Sequence, residues 1–430
     1  MTEVEEQLES EVMRRVQSEV TGKLGGRGLP RLSMEDQPWL YRMVGEKVTE
    51  VYRDSELDDP EVCPRIWKRV FGQVAPLGSL VEFLSDPDVE EIRFNGPGKC
   101  YVISHGRRQP VESPVQDEEQ LIRVIQSYID ADASIHLDRS NPMVTMTMPD
   151  GSRLHAVLSP PARPLSVTIR RHSPNRFGCL EDLVVVGTLP RSAVSLLELA
   201  VRARLNVLVA GGTSTGKTTF VRLLAGCISQ MERVVTIEDQ AELHLTELLE
   251  DCIALEGRPA NSEGRGSISI QRLVYEALRM SPDRIIIGEV RGIEALDMLD
   301  AMNTGHPGSL CTLHSESPRE TVSRLIRLVL RNPQAPRAEV ALTEVARTVD
   351  LILHLGVDGR DGHRQRVLNS AAFVCGLEAG QVLLDEFLQY QGAGRWRWHR
   401  AQLVDPPQRI ADKLSVLGMP ADCLAALVQE

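Results

Sequence analysis

The segment Gly211-Gly212-Thr213-Ser214-Thr215-Gly216-Lys217-Thr218 meets every fixed position of the phosphate-binding pattern G-x-x-x-x-G-K-[ST]. Glycines there let the backbone approach phosphate oxygens and aim several N–H groups at them, and the following helix adds the positive end of its dipole. Lys217 would reach the β and γ phosphates, and the Thr218 hydroxyl would ligate Mg²⁺. With Thr219, the segment predicts a site for ATP and magnesium, and hence a nucleoside triphosphatase.

Three further clusters carry carboxylates or imidazoles at spacings that suit this chemistry. The apolar run Arg233 to Ile237 (RVVTI) ends in Glu238-Asp239-Gln240-Ala241-Glu242. Carboxylates at the C-terminal end of a parallel strand face the ligand crevice and could hold the metal's water shell. A second run, Arg284 to Gly288 (RIIIG), presents Glu289. An ordinary Walker B strand ends in Asp followed by Glu, and here Gly288 stands where the Asp does. Glu289 is then the carboxylate placed to orient or deprotonate the attacking water, while metal support falls on Thr218 and on Glu238 or Asp239. In NTGHPGSLCTLHSESP, His306 and His314 flank a strand carrying Thr312. Neutral imidazole can donate and accept in one arrangement, so the pair could sense the γ-phosphate. Zinc fits poorly, because Cys311 alone completes no recognised spacing.

Arg153, Arg170 and Arg171 are basic residues at turns or strand ends of an acidic chain. Most arginines are solvated at the surface, and spacing alone favours that reading. The functional alternative is a guanidinium that closes over the γ-phosphate from a neighbouring domain or subunit.

The positioning elements follow from patterning. Leu205 to Ala210 (LNVLVA) reads as a buried strand, Thr218 to Cys227 as the helix after the loop, and Ser192 to Arg204 as the helix before it. Upstream, Ala75 onward alternates short strands and helices, with turns at Asn95-Gly96-Pro97-Gly98 and Pro149-Asp150-Gly151 and an amphipathic helix over Asp117 to Ile129. This α+β domain ends near Pro174 and Gly178, a hinge. The first residues carry Val4, Leu8, Val12, Val16 and Val20 at four-residue spacing, an amphipathic helix; Gly22 to Pro30 reads as a linker, and Ser33 with Asp36 as a capping box for a helix through about Tyr52. Three parts are expected: a helical extension over 1–75, an α+β domain over 76–175 and a nucleotide-binding domain with a C-terminal appendix over 176–430. In that appendix Arg395-Trp396-Arg397-Trp398-His399-Arg400 alternates basic and aromatic residues, and reads better as a strand with two faces than as a nucleic-acid or lipid patch.

Bulk properties narrow the classes. A length of 430 residues suggests two or three domains. A net charge of −12 with 4% aromatic residues lacks the basic footprint and stacking platforms of a dedicated nucleic-acid binder. Eight scattered cysteines without a C-x-x-C pair point to reduced thiols in a cytoplasmic protein. The N-terminus is acidic without an apolar core, and no run of about eighteen apolar residues occurs, which predicts neither a signal peptide nor a membrane span.

Taken in order, GGTSTGKTTF, TIEDQAEL, ALRMSPDRIIIGEVRG and NTGHPGSLCTLHSESP resemble the Walker A, Asp box, atypical Walker B and His box of the hexameric type II/IV secretion ATPases. The Tad (Flp) pilus-assembly branch is the nearest in type. LGSLVEFLSDPDVEEIRFNGP and PDGSRLHAV look like that family's N-terminal domain, so the resemblance runs from about Pro76 to about Ile352. It implies an α/β protein: a RecA-like P-loop ATPase domain preceded by a PAS-like α+β domain and, here, a small helical extension. It implies a ring of six subunits, with Lys217 and Thr218 on phosphate and Mg²⁺, Glu289 as catalytic carboxylate, Glu238 and Glu242 in the Asp box, and His306 and His314 in the His box. It also promotes Arg153 and Arg170 to phosphate-contacting residues. The function implied is powering pilus assembly or protein export from the cytoplasmic face through a membrane platform protein, with conjugative DNA or effector transfer as the alternative and a RecA-like nucleic-acid motor behind both. One departure stands out: the family's His-Ala-Asn-Ser reads His314-Ser315-Glu316-Ser317 here.

Overall fold

The computed structural model describes residues 3–23, 37–55, 62–74, 80, 83–84, 86, 88–104, 106–113, 115, 117–129, 137–148, 151–171, 177–258, 260, 265–359 and 365–428. The Ser33–Asp36 capping box, the first two residues of the Pro149-Asp150-Gly151 turn and Pro174 of the expected hinge lie outside them. Two units divide the chain, Met1–Ser173 and Pro174–Glu430.

In the first unit, α1 (Glu3–Lys23), α2 (Gln37–Arg53) and α3 (Val62–Val74) bury one apolar seam. Leu8, Val12, Val16 and Val20 of α1, one per turn, meet Leu40, Val44 and Val48 of α2 and Ile66, Val70 and Phe71 of α3. Helix α1 runs to Lys23, past the Gly22 at which a linker is expected to begin. A separate core lies under an antiparallel sheet of β1 (Val89–Asn95), β2 (Cys100–Ser104), β3 (Arg107–Val111), β4 (Met143–Thr147), β5 (Arg153–Val157) and β6 (Ser166–Arg170), with α4 (Glu118–Ile129) between β3 and β4. Its order is β3-β2-β1-β6-β5-β4, so the first and last strands are neighbours at the centre. Alternation sends Ile92, Phe94, Leu154, Val167 and Ile169 to one side against Leu121 and Ile125 of α4. The other side carries Glu91, Arg93, Arg153, His155 and Arg170.

The second unit is built on nine strands: β7 (Val207–Gly211), β8 (Val234–Glu238), β9 (Cys252–Glu256), β10 (Arg284–Ile287), β11 (Leu310–Leu313), β12 (Leu351–Asp358), β13 (Gln365–Glu378), β14 (Gln381–Gly392) and β15 (Arg395–Trp398). Their order is β15-β14-β13-β12-β7-β11-β10-β8-β9. The six strands from β12 to β9 are parallel, and β13 to β15 extend the sheet antiparallel. Helices cover both faces, which is why the parallel strands read as unbroken apolar runs. One face takes α5 (Leu180–Val185), α6 (Arg191–Arg202) and α7 (Lys217–Ala225); the other takes α8 (Ile270–Ala277), α9 (Glu294–Asn303), α10 (Pro318–Val329) and α11 (Ala338–Thr348). The RecA-like character lies in this parallel core, with β11 inserted between the loop-bearing β7 and β10. Short helices α12 (Ala401–Val404), α13 (Gln408–Val416) and α14 (Cys423–Leu427) close the chain. The Arg395–Trp398 segment is a packing strand: Trp398 stacks with Phe387, and Trp396 lies against Tyr390 and donates to the Leu368 carbonyl at 2.8 Å.

Candidate functional site

Parallel strands bring their C-terminal ends to one edge, and there β7, β8, β10 and β11 deliver Lys217, Glu238, Glu289 and His314. The loop after β7 turns through left-handed backbone at Ser214 (φ 61°) and Gly216 (φ 90°). Gly211 admits no side chain: a Cβ would stand 2.8 Å from Thr215 Oγ1 and collide with the Leu355 carbonyl. Gly212, Thr213 and Ser214 form the exposed crest, while Thr215 and Lys217 turn inward and Thr219 is exposed on the first turn of α7. Lys217, 8% exposed, donates from Nζ to the carbonyls of Gly211 (3.1 Å) and Gly212 (2.8 Å). The first N–H groups of α7 have no intrahelical partner, so the concavity is lined with donors.

The carboxylates sort by burial. Thr218 donates from Oγ1 to Glu242 Oε2 at 3.2 Å. Glu238 is only 5% exposed, and burial pushes its carboxyl up to about 8, against the pull of the N–H groups of Glu242 and Leu243 that it accepts at 3.2 and 3.1 Å. The missing Walker B Asp has a steric counterpart: a Cβ on Gly288 would stand 2.8 Å from Glu238 Cγ. Asp239 stays exposed, 3.5 Å from Arg291.

Glu289 and Lys217 meet through His314. Glu289 Oε2 accepts from Arg291 at 2.5 Å, and Oε1 lies 3.2 Å from His314 Nε2. That contact lacks hydrogen-bond geometry, leaving Oε1 a buried acceptor without a donor among the described residues. His314 Nδ1 is 3.5 Å from Lys217 Nζ. Burial and then the Lys217 charge hold His314 below the usual histidine range, so its ring is neutral at pH 7 with Nδ1 turned to the ammonium. Thr312 Oγ1 donates to the Gly288 carbonyl (2.6 Å) and Val290 N to the Thr312 carbonyl (3.0 Å), which locks the two strand ends together. In the departing His box, Ser315 is buried with its hydroxyl 2.6 Å from that of Thr321, and Glu316 is exposed.

Within the chain, His306 is not brought to this cluster. It precedes the N-terminal end of β11, whereas His314 follows the C-terminal end, and its Nδ1 is 3.2 Å from the Ala301 carbonyl. Arg153 and Arg170 belong to the first unit, where β5 and β6 set them directly opposite each other, with Glu91 opposite Arg170 on the other side. Arg171, at the end of β6, instead binds the Asp86 carbonyl.

Residues brought in by β12 and β13 escaped the sequence reading. Arg366 of β13 donates to the Ser214 carbonyl at 3.1 Å, with its Cδ 3.4 Å from where a Gly216 Cβ would be. Only the antiparallel addition beside β12 brings it there, and no motif announces it. His354 of β12, whose Nε2 is 3.3 Å from the Ser315 carbonyl, is likewise fixed by tertiary pairing alone. Among the described residues no group of three or more His, Cys, Asp or Glu could hold a metal ion by itself. Magnesium at a phosphate site needs only one or two protein oxygens, with waters and phosphates filling the rest, and Thr218 with Glu242 beside it fits that demand.

The family model described as Type II/IV secretion system protein matches residues 75–370. The chain belongs to that family. A Mycobacterium tuberculosis protein named for conjugal transfer is 34% identical over 323 residues, covering 72% of this chain and 88% of its own. The protein VirB11 of Agrobacterium fabrum is 30% identical over 313 residues, 66% of this chain and 89% of that one. In fold, this secretion-system protein is similar to the X-ray structure of the ATPase DotB from Yersinia pseudotuberculosis, with a TM-score of 0.50 at 17% identity over 84% of this chain and 94% of that one.

Proposed function

We propose that this secretion-system protein hydrolyses ATP with magnesium and acts as a ring of six copies that drives macromolecules through a membrane machine. The observation that carries the catalytic reading is the buried, undonated Oε1 of Glu289, 3.2 Å from a histidine whose other ring nitrogen is 3.5 Å from Lys217. An open acceptor beside the phosphate-binding lysine is where an attacking water is oriented and loses its proton. Lys217 would exchange the Gly211 and Gly212 carbonyls for phosphate oxygens, and neutral His314 would follow that movement through Nδ1 while Nε2 faces Glu289. Bound magnesium would neutralise charge on the β and γ phosphate oxygens. Thr218 and Glu242, which touch, with Glu238 and Asp239 at the end of β8, are the residues proposed to hold the metal and its waters. Arg153 and Arg170 are proposed as phosphate-contacting residues on the strength of the family resemblance.

The motifs resemble the Tad pilus-assembly branch, which supports pilus assembly or protein export through an inner-membrane platform protein at the cytoplasmic face. The names of the relatives support a second reading, conjugal transfer of DNA or effectors. In either case the acidic chain itself is not proposed to grip nucleic acid. No described helix is long and apolar enough to cross a membrane, so the platform partner is proposed as the membrane link. Phosphate release from Mg-ATP by the wild type and by Lys217→Ala tests hydrolysis. Turnover in the first alone is expected; a wild type that binds nucleotide without releasing phosphate would make it a nucleotide-gated scaffold instead.

A further inference from the structure

Helix α7 touches the Asp-box loop twice. Its first turn does so through Thr218 and Glu242. About one turn further on, Arg222 does so through a guanidinium in a residue only 7% exposed. Arg222 Nη1 donates to the carbonyls of Leu243 and, at 2.7 Å, His244; Nη2 donates to Glu247 Oε2 at 3.0 Å. The Leu243 backbone is therefore held from both sides, its N–H on Glu238 Oε1 at 3.1 Å and its carbonyl on Arg222. His244 adopts φ 46°, a left-handed conformation that a non-glycine residue keeps only when its surroundings over-determine it. The carbonyls that this turn directs inward are the ones Arg222 caps.

We propose that Arg222 is a positioning residue for the magnesium–nucleotide complex: it fixes the Leu243–His244 backbone so that Glu242 is held against Thr218 and the Leu243 N–H on Glu238. This rests on the reading of the site as a magnesium–nucleotide site. A guanidinium suits the task because its rigid planar fork spreads donors over separate nitrogens, so that Nη1 takes the two carbonyls while Nη2 takes the carboxylate in one fixed geometry. Removing it takes away the guanidinium's ties to Leu243, His244 and Glu247, leaving the exchangeable Thr218–Glu242 hydrogen bond and the apolar packing of Leu243 and Leu245 on the core that α7 shares.

The test uses the full chain and a fluorescent ATP analogue, with affinity measured in magnesium and in EDTA, together with amide exchange of residues 239–247 in nucleotide-free protein. In Arg222→Met the affinity gained from magnesium should fall about tenfold, the size of effect seen when groups supporting metal ligands are lost. The affinity in EDTA should stay as in wild type, and exchange across 239–247 should quicken. Glu247→Gln, which keeps the carbonyl clamp, should resemble wild type in all three. If Arg222→Met does not fold, Arg222→Lys carries the test and should lose part of the magnesium effect. A folded Arg222 variant with the wild-type magnesium effect and unchanged exchange overturns the role of Arg222. A wild type with no magnesium effect at all overturns the reading of the site and the proposal with it.

Discussion

Gly288 and Glu238 share one volume: a Cβ on Gly288 would stand 2.8 Å from Glu238 Cγ and 3.0 Å from its Oε1. Strands β8 and β10 are neighbours, with Ile237 beside Ile287, so the residues that follow them are forced together. The carboxylate absent from the end of β10 is replaced by one that reaches across from the end of β8.

Gly288→Ala should therefore destabilise the protein through overpacking, by about 1–3 kcal/mol. Glu238→Ala in the same chain should recover most of that loss, because the colliding atoms are gone. Thermal melts of the two single variants and the double variant read the coupling; purely additive losses would refute it.

Burial raises the Glu238 carboxyl to about 8 from its ordinary value near 4.5. The folded state then binds more protons than the unfolded state between those values, so this group's contribution to stability falls as pH rises from about 4.5 to 8. Glu238→Gln, neutral throughout, should raise the Tm of nucleotide-free protein at pH 8 more than at pH 5. An equal shift at both pH values would mean the carboxyl is ionised across the range.

Asp350, 1% exposed, pairs with Arg409 at 2.8 Å and Lys413 at 2.6 Å and accepts from Asn206 N at 2.8 Å. It ties α13 to the start of β12. Asp350→Ala leaves two cations without their partner and should cost about 3–5 kcal/mol, visible as a lower denaturant midpoint. An unchanged midpoint would show that Arg409 holds α13 through its carbonyl contacts alone.

The local parts of the site were legible because their signals are local. A glycine pattern after an apolar run fixed the loop, and carboxylates after apolar runs marked the ends of β8 and β10. What the chain order could not show is which strands become neighbours. Insertion of β11 between β7 and β10 is what sets His314 between Lys217 and Glu289, and it equally sends His306 to the far edge of the sheet. Arg366 and Arg222 were hidden for related reasons: the first arrives by an antiparallel extension, and the second sits mid-helix, where an arginine reads as solvated surface. The facing of Arg153 and Arg170 also depends on register, since seventeen positions separate them in the chain.

Glu289→Gln tests the central claim most directly, with phosphate release and nucleotide affinity measured on the same preparation. If Glu289 acts on water rather than on phosphate binding, as proposed, turnover should fall by about 10²–10⁴ while affinity stays within about twofold. Turnover equal to wild type would contradict the assignment of Glu289 as the group that activates water.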